Sequence, residues 1–387
     1  MFALDAVWWR VSMRLANRKA WRRVIIVFMG AQMTGLAWLV FGRVLVAAWD
    51  RWLPKFAMTA IFVWHFLGLA TLAIVALVLV PIVIVKTIAH WTRPPLQPEI
   101  ASSEIQTRWT RREFLGFSAA MGPPLFTLSL SSIASAQLNH FRVRHLVIPL
   151  RDLPPELDGT TIAHVSDMHV GRFTSGRVLR RMVSAVNELR TDLVLLTGDL
   201  INDALAVLDD SLGLVRRMEA RFGVYMIEGN HDLIENGLEF ERRVKASDVP
   251  FLLDESVIVS VRGLPIQLLG LSWTRARQNR DQAISLAVGK LLEQRQADVF
   301  PILLAHHPHA FDGAAGAKMP LTLSGHTHGG QLMLNEQLGF GPALFRYWSG
   351  LYTREESKLI VSNGVGNWFP LRTNAPAEII HLTLRRA

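Results

Sequence analysis

The 387 residues are half apolar and include no cysteine, which excludes disulfides and thiolate metal ligands. The formal net charge of +9 suggests a nucleic-acid partner until it is divided: residues 1–113 hold 14 Lys and Arg against 5 Asp and Glu, and the remainder holds 27 of each. All the excess therefore lies in an apolar N-terminal part that also carries nine of the twelve tryptophans, a combination that points to a bilayer and away from a basic nucleic-acid groove.

Residues 1–23 are basic, with Arg10, Arg14, Arg18, Lys19, Arg22 and Arg23 against Asp5 alone. Val24 to Gly42 is uncharged for 19 residues and Phe56 to Val85 for 30. At about 1.5 Å per residue, each is long enough to cross a bilayer core as a helix. His65, inside the second run, is expected near the interface or satisfied within the helix pair. Lys86 to Arg112 is polar, and Pro94, Pro95 and Pro98 mark it as a linker. Thr110-Arg111-Arg112-Glu113-Phe114-Leu115 is similar to a twin-arginine export motif, with Gly116 where lysine is common. Phe114 to Phe141 has no charged residue, and Ala134-Ser135-Ala136 has the form of a cleavage site. Its place after two candidate spans departs from that of an export signal. Pro123-Pro124 predicts a kink. With the first basic cluster inside, a third crossing over 114–136 puts the rest of the chain outside; without that crossing it stays in the cytoplasm.

The chain thus divides into a membrane region at 1–113, a third hydrophobic segment at 114–141, and a domain at 142–387. In the domain, Arg142 to Ile148 reads as a strand, and from Gly159 strands and helices alternate. Strands are expected at Thr161–Val165, Leu193–Leu196, Val224–Ile227, Ile302–Leu304, Leu359–Val361 and Glu378–Leu384. A hairpin is expected from Val257–Val261 through Gly263 to Ile266–Leu269. Helices are expected at Ser175–Arg190, with Val178, Met182, Val186 and Leu189 on one stripe and Ser175 as N-cap, and at Ala204–Arg221 and Asp281–Gln296. This order argues for an α/β layered domain. There is no internal repeat.

Five apolar strands break into residues of one chemical type: Ser166-Asp167-Met168-His169, Thr197-Gly198-Asp199, Gly229-Asn230-His231-Asp232, Ala305-His306-His307-Pro308, and Ser324-Gly325-His326-Thr327-His328-Gly329-Gly330-Gln331. The edge beyond strand C-termini is where loops of α/β sheets build sites. Asp167, His169, Asp199, Asn230, His306, His326 and His328 offer only oxygen and nitrogen, which suits Mn, Fe, Zn or Co. Seven donors exceed one tetrahedral zinc and fit two metals sharing a carboxylate. Arg172, three residues past His169, and the loop residues Tyr352, Trp368 and Arg372 are candidates for phosphate or substrate contact. His164, inside a strand, reads as a core histidine.

In this order the five runs resemble the signature of the calcineurin-like metallophosphoesterases, over about Gly159 to Leu384. The GHTHGGQ run, Ser349-Gly350-Leu351-Tyr352 and Val361-Ser362-Asn363-Gly364 are similar to the branch of bacterial membrane-associated phosphodiesterases. The resemblance implies a four-layer αββα sandwich, here preceded by an all-α transmembrane region. It implies that Asp199 bridges two divalent ions, with Asp167, His169 and His328 completing one and Asn230, His306 and His326 the other. A hydroxide shared by the ions is then the nucleophile, and His231 faces the substrate as acid or charge stabiliser. Asp232 either orients His231 or bonds the loop backbone.

The resulting expectation is a multi-pass protein of the bacterial cytoplasmic membrane, its phosphoesterase domain outside. The substrate would be a phosphodiester or monoester of the envelope, lipid-linked or soluble. The twin-arginine export machinery would be a partner and long nucleic acid would not, since the domain is neutral. Four alternatives compete. A non-catalytic scaffold is disfavoured by the intact ligand set. A transporter is disfavoured by two spans without charged groups, and a nuclease by the neutral domain. A phosphoesterase facing the cytoplasm and acting on nucleotide-sugar lipids follows if the third segment does not cross.

Overall fold

The computed structural model describes residues 1–45, 53–91, 110–275, 278–335 and 337–387. It forms two compact units, Met1–Ser135 and Ala136–Ala387.

The first unit is helical. α1 (Phe2–Leu15) precedes α2 (Lys19–Leu45), and α3 (Lys55–Phe62) runs through a π-helical turn, Val63–Gly68, into α4 (Leu69–Trp91). α4 carries the second apolar run six residues into the segment expected as linker; Pro94, Pro95 and Pro98 lie outside the described residues. α5 (Arg111–Gln137) holds Pro123 and Pro124 without being broken by them. Among the described residues three stretches are long and apolar enough to cross a membrane: Lys19–Gly42, Lys55–Ile74 and Arg111–Gln137. Arg111 and Arg112 occupy the first turn of α5, inside a reciprocal cap. Thr110 Oγ1 accepts the Glu113 N–H and Glu113 Oε2 accepts the Thr110 N–H, each at 3.2 Å. His65 is buried and satisfied: Nδ1 donates to Ile61 O at 2.7 Å, and Nε2 meets Asp5 of α1 at 3.2 Å. Asp5 also accepts from Trp64 Nε1 at 2.9 Å. The partner of His65 thus includes a carboxylate from a helix that the basic N-terminal stretch did not announce.

In the second unit two sheets pack face to face. The strands are β1 (Arg142–Leu150), β2 (Thr161–Val165), β3 (Leu193–Thr197), β4 (Val224–Ile227), β5 (Glu255–Val261), β6 (Leu264–Leu271), β7 (Phe300–Ala305), β8 (Leu321–Ser324), β9 (Gly350–Arg354), β10 (Ser357–Val361) and β11 (Glu378–Arg386). One sheet has the order β1-β11-β2-β3-β4 and the other β5-β6-β7-β8-β10-β9. β2, β3 and β4 are mutually parallel, as are β6, β7, β8 and β10. The β5–β6 hairpin turns through Arg262 and Gly263, both at positive φ (52° and 86°), as a two-residue primed turn requires.

Alternation along the strands builds the layers. Ile162, Leu193, Leu195 and Leu382 of the first sheet meet Ile266, Ile302, Leu304 and Leu323 of the second. The alternate residues Ala163, Val165, Val194 and Leu196 pack under Val178, Met182 and Val186 of α6 (Arg177–Glu188), with α7 (Leu208–Val215) and α8 (Gly237–Lys245) beside them. On the other side Leu269, Leu303 and Ala305 pack under α9 (Arg280–Leu292) and α10 (Ala310–Gly316). The result is the αββα sandwich. Three details differ from expectation. α6 is capped at Gly176, not Ser175, and so has no side-chain cap from that position. The helix expected over Ala204–Arg221 is a 3-10 turn, Leu205–Val207, followed by the eight residues of α7. α8 and α10, too short for a clear period, were not anticipated.

Candidate metal centre

Because β2, β3 and β4 run parallel in one sheet and β7 and β8 in the other, their C-terminal ends open on a common edge, and all seven candidate ligands follow those ends. Five of them hold left-handed backbone: Asp167 (φ 55°), His169 (44°), Asp199 (54°), His326 (72°) and His328 (51°). Non-glycine residues there are uncommon and cluster at functional sites. The turns fold the chain back so that side chains two to four residues beyond the strand ends come together.

The groups converge. His169 Nε2 lies 3.0 Å from His328 Nε2, and His328 Nε2 lies 3.3 Å from Asp167 Oδ1. His326 Nδ1 is 2.8 Å from Asn230 Oδ1. A single oxygen, Asp199 Oδ2, stands 3.4 Å from His169 Nε2 and 3.2 Å from His306 Nε2. It therefore sits between the two ligand groups, while Asp199 Oδ1 accepts the His231 N–H at 2.7 Å. Two glycines allow the approach. A Cβ on Gly229 would overlap the Asp199 carboxylate, and one on Gly325 would overlap Ser166 Oγ and Asp167 Oδ2. The amide just after Gly325, that of His326, donates to both Asp167 oxygens at 3.1 Å.

The donor set fits divalent cations. Asp167 and Asp199 are fully buried, which by itself favours their neutral forms. The neighbouring His328 and His169 nonetheless hold Asp167 well below the usual carboxylate range, and His306 and His169 do the same for Asp199. Two buried carboxylates thus face each other across imidazoles. His306 Nδ1 donates to Thr197 O at 2.7 Å, which aims Nε2 at Asp199. Burial opposes charge on that ring, yet Asp199 carries its pKa up to about 9: the site draws positive charge. His326 and His328, desolvated and beside other imidazoles, fall to about 3 and about 4, so at neutral pH both rings are neutral. Asp167, His169 and His328 lie within ligating distance of one another, as do Asp167, Asp199 and His306.

His231 borders this cluster. Its ring stands edge-on to His169, with centroids 4.5 Å apart, and Trp368 lies 5.7 Å away on another side. Its Nδ1 donates to Asn202 O at 2.6 Å, leaving Nε2 as the functional nitrogen. Burial pushes its pKa down and Asp199 partly restores it. Asp232 does not orient it. That carboxyl accepts the amides of Ile201 and Gly229 at 2.9 and 2.8 Å and braces the loop; burial and the Asp199 charge hold it well above the ordinary range.

Arg372, expected to touch substrate, is instead 1% exposed behind the site. It donates to the carbonyls of Asn363, Ala375 and Gly366 and to His328 Nδ1 at 2.9 Å. A guanidinium has only donors, so this contact makes Nδ1 the acceptor, leaves the neutral ring's proton on Nε2 and fixes the orientation of the His328 ring. The Tyr352 hydroxyl accepts the Trp348 amide at 3.0 Å and braces a loop. Arg172 is half-buried in the turn that Gly171 N–H closes on Thr174 O. His164 is buried and bonds Thr197 Oγ1 at 2.8 Å. Trp273, not singled out in the sequence, lies 5.1 Å from the His326 ring and 5.5 Å from His306. It follows β6 at the same edge, and that position was the available signal. Its amide donates to Glu228 Oε1 at 2.9 Å.

The order and geometry of these ligands define a metallophosphoesterase-type centre. Residues 160–330 match the family profile described as Calcineurin-like phosphoesterase. That profile covers the span holding all seven candidate ligands. The chain is similar to a transmembrane protein with metallophosphoesterase domain from Danio rerio, 32% identical over 254 residues, covering 64% of this chain and 58% of the relative. It is 31% identical over 249 residues to an uncharacterized metallophosphoesterase of Helicobacter pylori, covering 63% of this chain and 64% of the relative. The phosphodiesterase YaeI of Escherichia coli is 25% identical over 234 residues, covering 58% and 81%. The first two matches thus span less than two thirds of the relatives' own length.

Proposed function

We propose that this protein is a membrane-anchored hydrolase of phosphate esters, a phosphodiesterase that works with two divalent ions. The observation that carries it is Asp199 Oδ2 standing between His169 Nε2 and His306 Nε2, at 3.4 and 3.2 Å, with Asp167 and His328 grouped about the first and Asn230 and His326 beside the second. Asp167, His169 and His328 would hold one ion and Asn230, His306 and His326 the other, with Asp199 shared. Such ions, when bound, supply Lewis acidity and a water of lowered pKa. The chain's own residues do the rest. Buried carboxylates and amides keep the ligands in place before substrate arrives. Arg372 and Thr197 orient His328 and His306. His231, with Nδ1–H tied to Asn202, presents Nε2 to the substrate's phosphate oxygens or leaving group. The name of the E. coli relative supports diester over monoester. Three apolar helices and a relative named as a transmembrane protein support anchoring, and the positive-inside count supports a domain outside the cytoplasm.

The test compares p-nitrophenyl phosphate with bis(p-nitrophenyl) phosphate, using full-length protein stripped of metal and then given Mn, Zn or Fe. Metal-dependent turnover that favours the diester and disappears in Asp199→Ala is expected. Turnover equal in the variant, or unaffected by stripping, overturns the proposal. The side of the membrane is read from reporters fused after Arg112 and after His145: a cytoplasmic signal at both positions refutes an exported domain.

A further inference from the structure

The segment that follows the last metal-ligand run folds against it and leaves large apolar side chains in water. Leu334 is 75% exposed, Leu338 57%, Phe340 49% and Leu344 67%. Over 332–348 the sequence holds one acid and one base. Its placement is firm. Phe340 N–H donates to Leu332 O at 3.1 Å, Met333 N–H donates to Thr373 O at 3.0 Å, and Thr327 Oγ1 donates to Trp348 O at 2.6 Å. A Cβ on Gly330 would overlap the Gly341 backbone, and one on Gly341 would overlap the Trp348 ring. Phe345, next to Leu344, has its ring 6.0 Å from that of His326. Across the centre Trp368, 41% exposed, stands beside His231.

An exposed apolar cluster of this kind marks an interaction surface. Here it borders the candidate metal centre on two sides, so whatever covers it also meets what enters the centre. The same chain carries three stretches apolar enough to cross a membrane, which keeps the domain tethered within reach of a bilayer.

We propose that Leu334, Leu338, Phe340, Leu344 and Trp368 form a rim that seats the centre on a lipid surface, and that the substrate is an amphiphilic phosphoester presented from it. The substrate part rests on the phosphodiesterase proposed above; the docking part does not. Burial of apolar side chains in the acyl boundary provides the affinity, and the polar centre behind them receives a phosphate at headgroup depth.

The natural absence of cysteine allows a direct test. Full-length protein carrying Leu338→Cys or Leu344→Cys is labelled with bimane and reconstituted into phosphatidylcholine–phosphatidylglycerol vesicles with or without doxyl-labelled lipid. Blue-shifted emission and at least twofold quenching by the doxyl lipid are expected at both positions and not at Ile258→Cys, on the exposed face of β5. No quenching at 338 and 344, quenching equal at 258, or a shift that depends on protein concentration and not on lipid, overturns the docking surface. In a second arm, p-nitrophenyl hexadecyl phosphate in mixed micelles is compared with p-nitrophenyl ethyl phosphate. A preference for the long chain that falls about tenfold in Leu338→Ser/Phe340→Ser/Leu344→Ser supports the substrate class; an unchanged preference refutes it. Hydrolysis of neither ester refutes the phosphodiesterase itself, and the quenching result still decides the rim.

Discussion

Glu228 is a buried carboxyl group with an incomplete set of partners, and its cost can be measured. It is 1% exposed, Oε1 accepts the Trp273 amide, and Oε2 has no hydrogen-bond partner among the described residues. Burial lifts its pKa from 4.5 to about 7, with the Trp273 bond pulling weakly the other way. Between these values the folded chain keeps a proton that the unfolded chain has released. The stabilisation is therefore complete below 4.5 and is lost as pH rises through about 7. At about 1.4 kcal/mol per pH unit the loss comes to about 3 kcal/mol. Glu228→Gln keeps the acceptor for Trp273 and has no proton to lose. Urea unfolding of the metal-stripped protein, followed by near-ultraviolet circular dichroism at pH 4.5, 6 and 8, gives the two stabilities. Their difference should move by about 3 kcal/mol in favour of the variant across this range. A difference constant to within about 0.5 kcal/mol would refute the assignment of the shift to Glu228.

Other outcomes follow from the same geometry. His231→Ala should lower kcat by about 100-fold or more with metal content unchanged, because the ring touches His169 without being one of the seven donors; loss of metal would recast it as structural. Gly325→Ala should displace Asp167 and reduce bound metal while the melting temperature falls by only a few degrees, measured on the same sample; full metal content would show that the turn can relax. Arg372→Met should destabilise by about 3 kcal/mol or more by stranding five acceptors, and a variant as stable as the parent would show that those acceptors find water.

The ligand runs were legible because each begins where an apolar strand ends, and the parallel pairing of β2, β3, β4 and of β6, β7, β8 gathers those ends automatically. The hairpin at Gly263 was legible because its turn needs positive φ. What the sequence concealed depends on distant chain. Arg372 looks like a surface loop residue until the carbonyls of Asn363, Gly366 and Ala375 close around it. The partner of His231 is a backbone carbonyl, that of Asn202, which no residue type signals. Asp5 seemed an isolated acid in a basic stretch, yet it meets Trp64 and His65 some sixty residues away. Thr110 and Glu113 had the spacing of a helix cap, and the pair closes around Arg111 and Arg112 at the start of α5.

The most direct measurement is the number of metal ions per chain, taken by inductively coupled plasma mass spectrometry on purified full-length protein and matched to turnover on the same sample. Two divalent ions per chain are expected, falling to one or none in Asp199→Ala together with loss of hydrolysis. One ion per wild-type chain at full activity, or two ions retained by an active Asp199→Ala, would contradict a shared-carboxylate, two-metal centre.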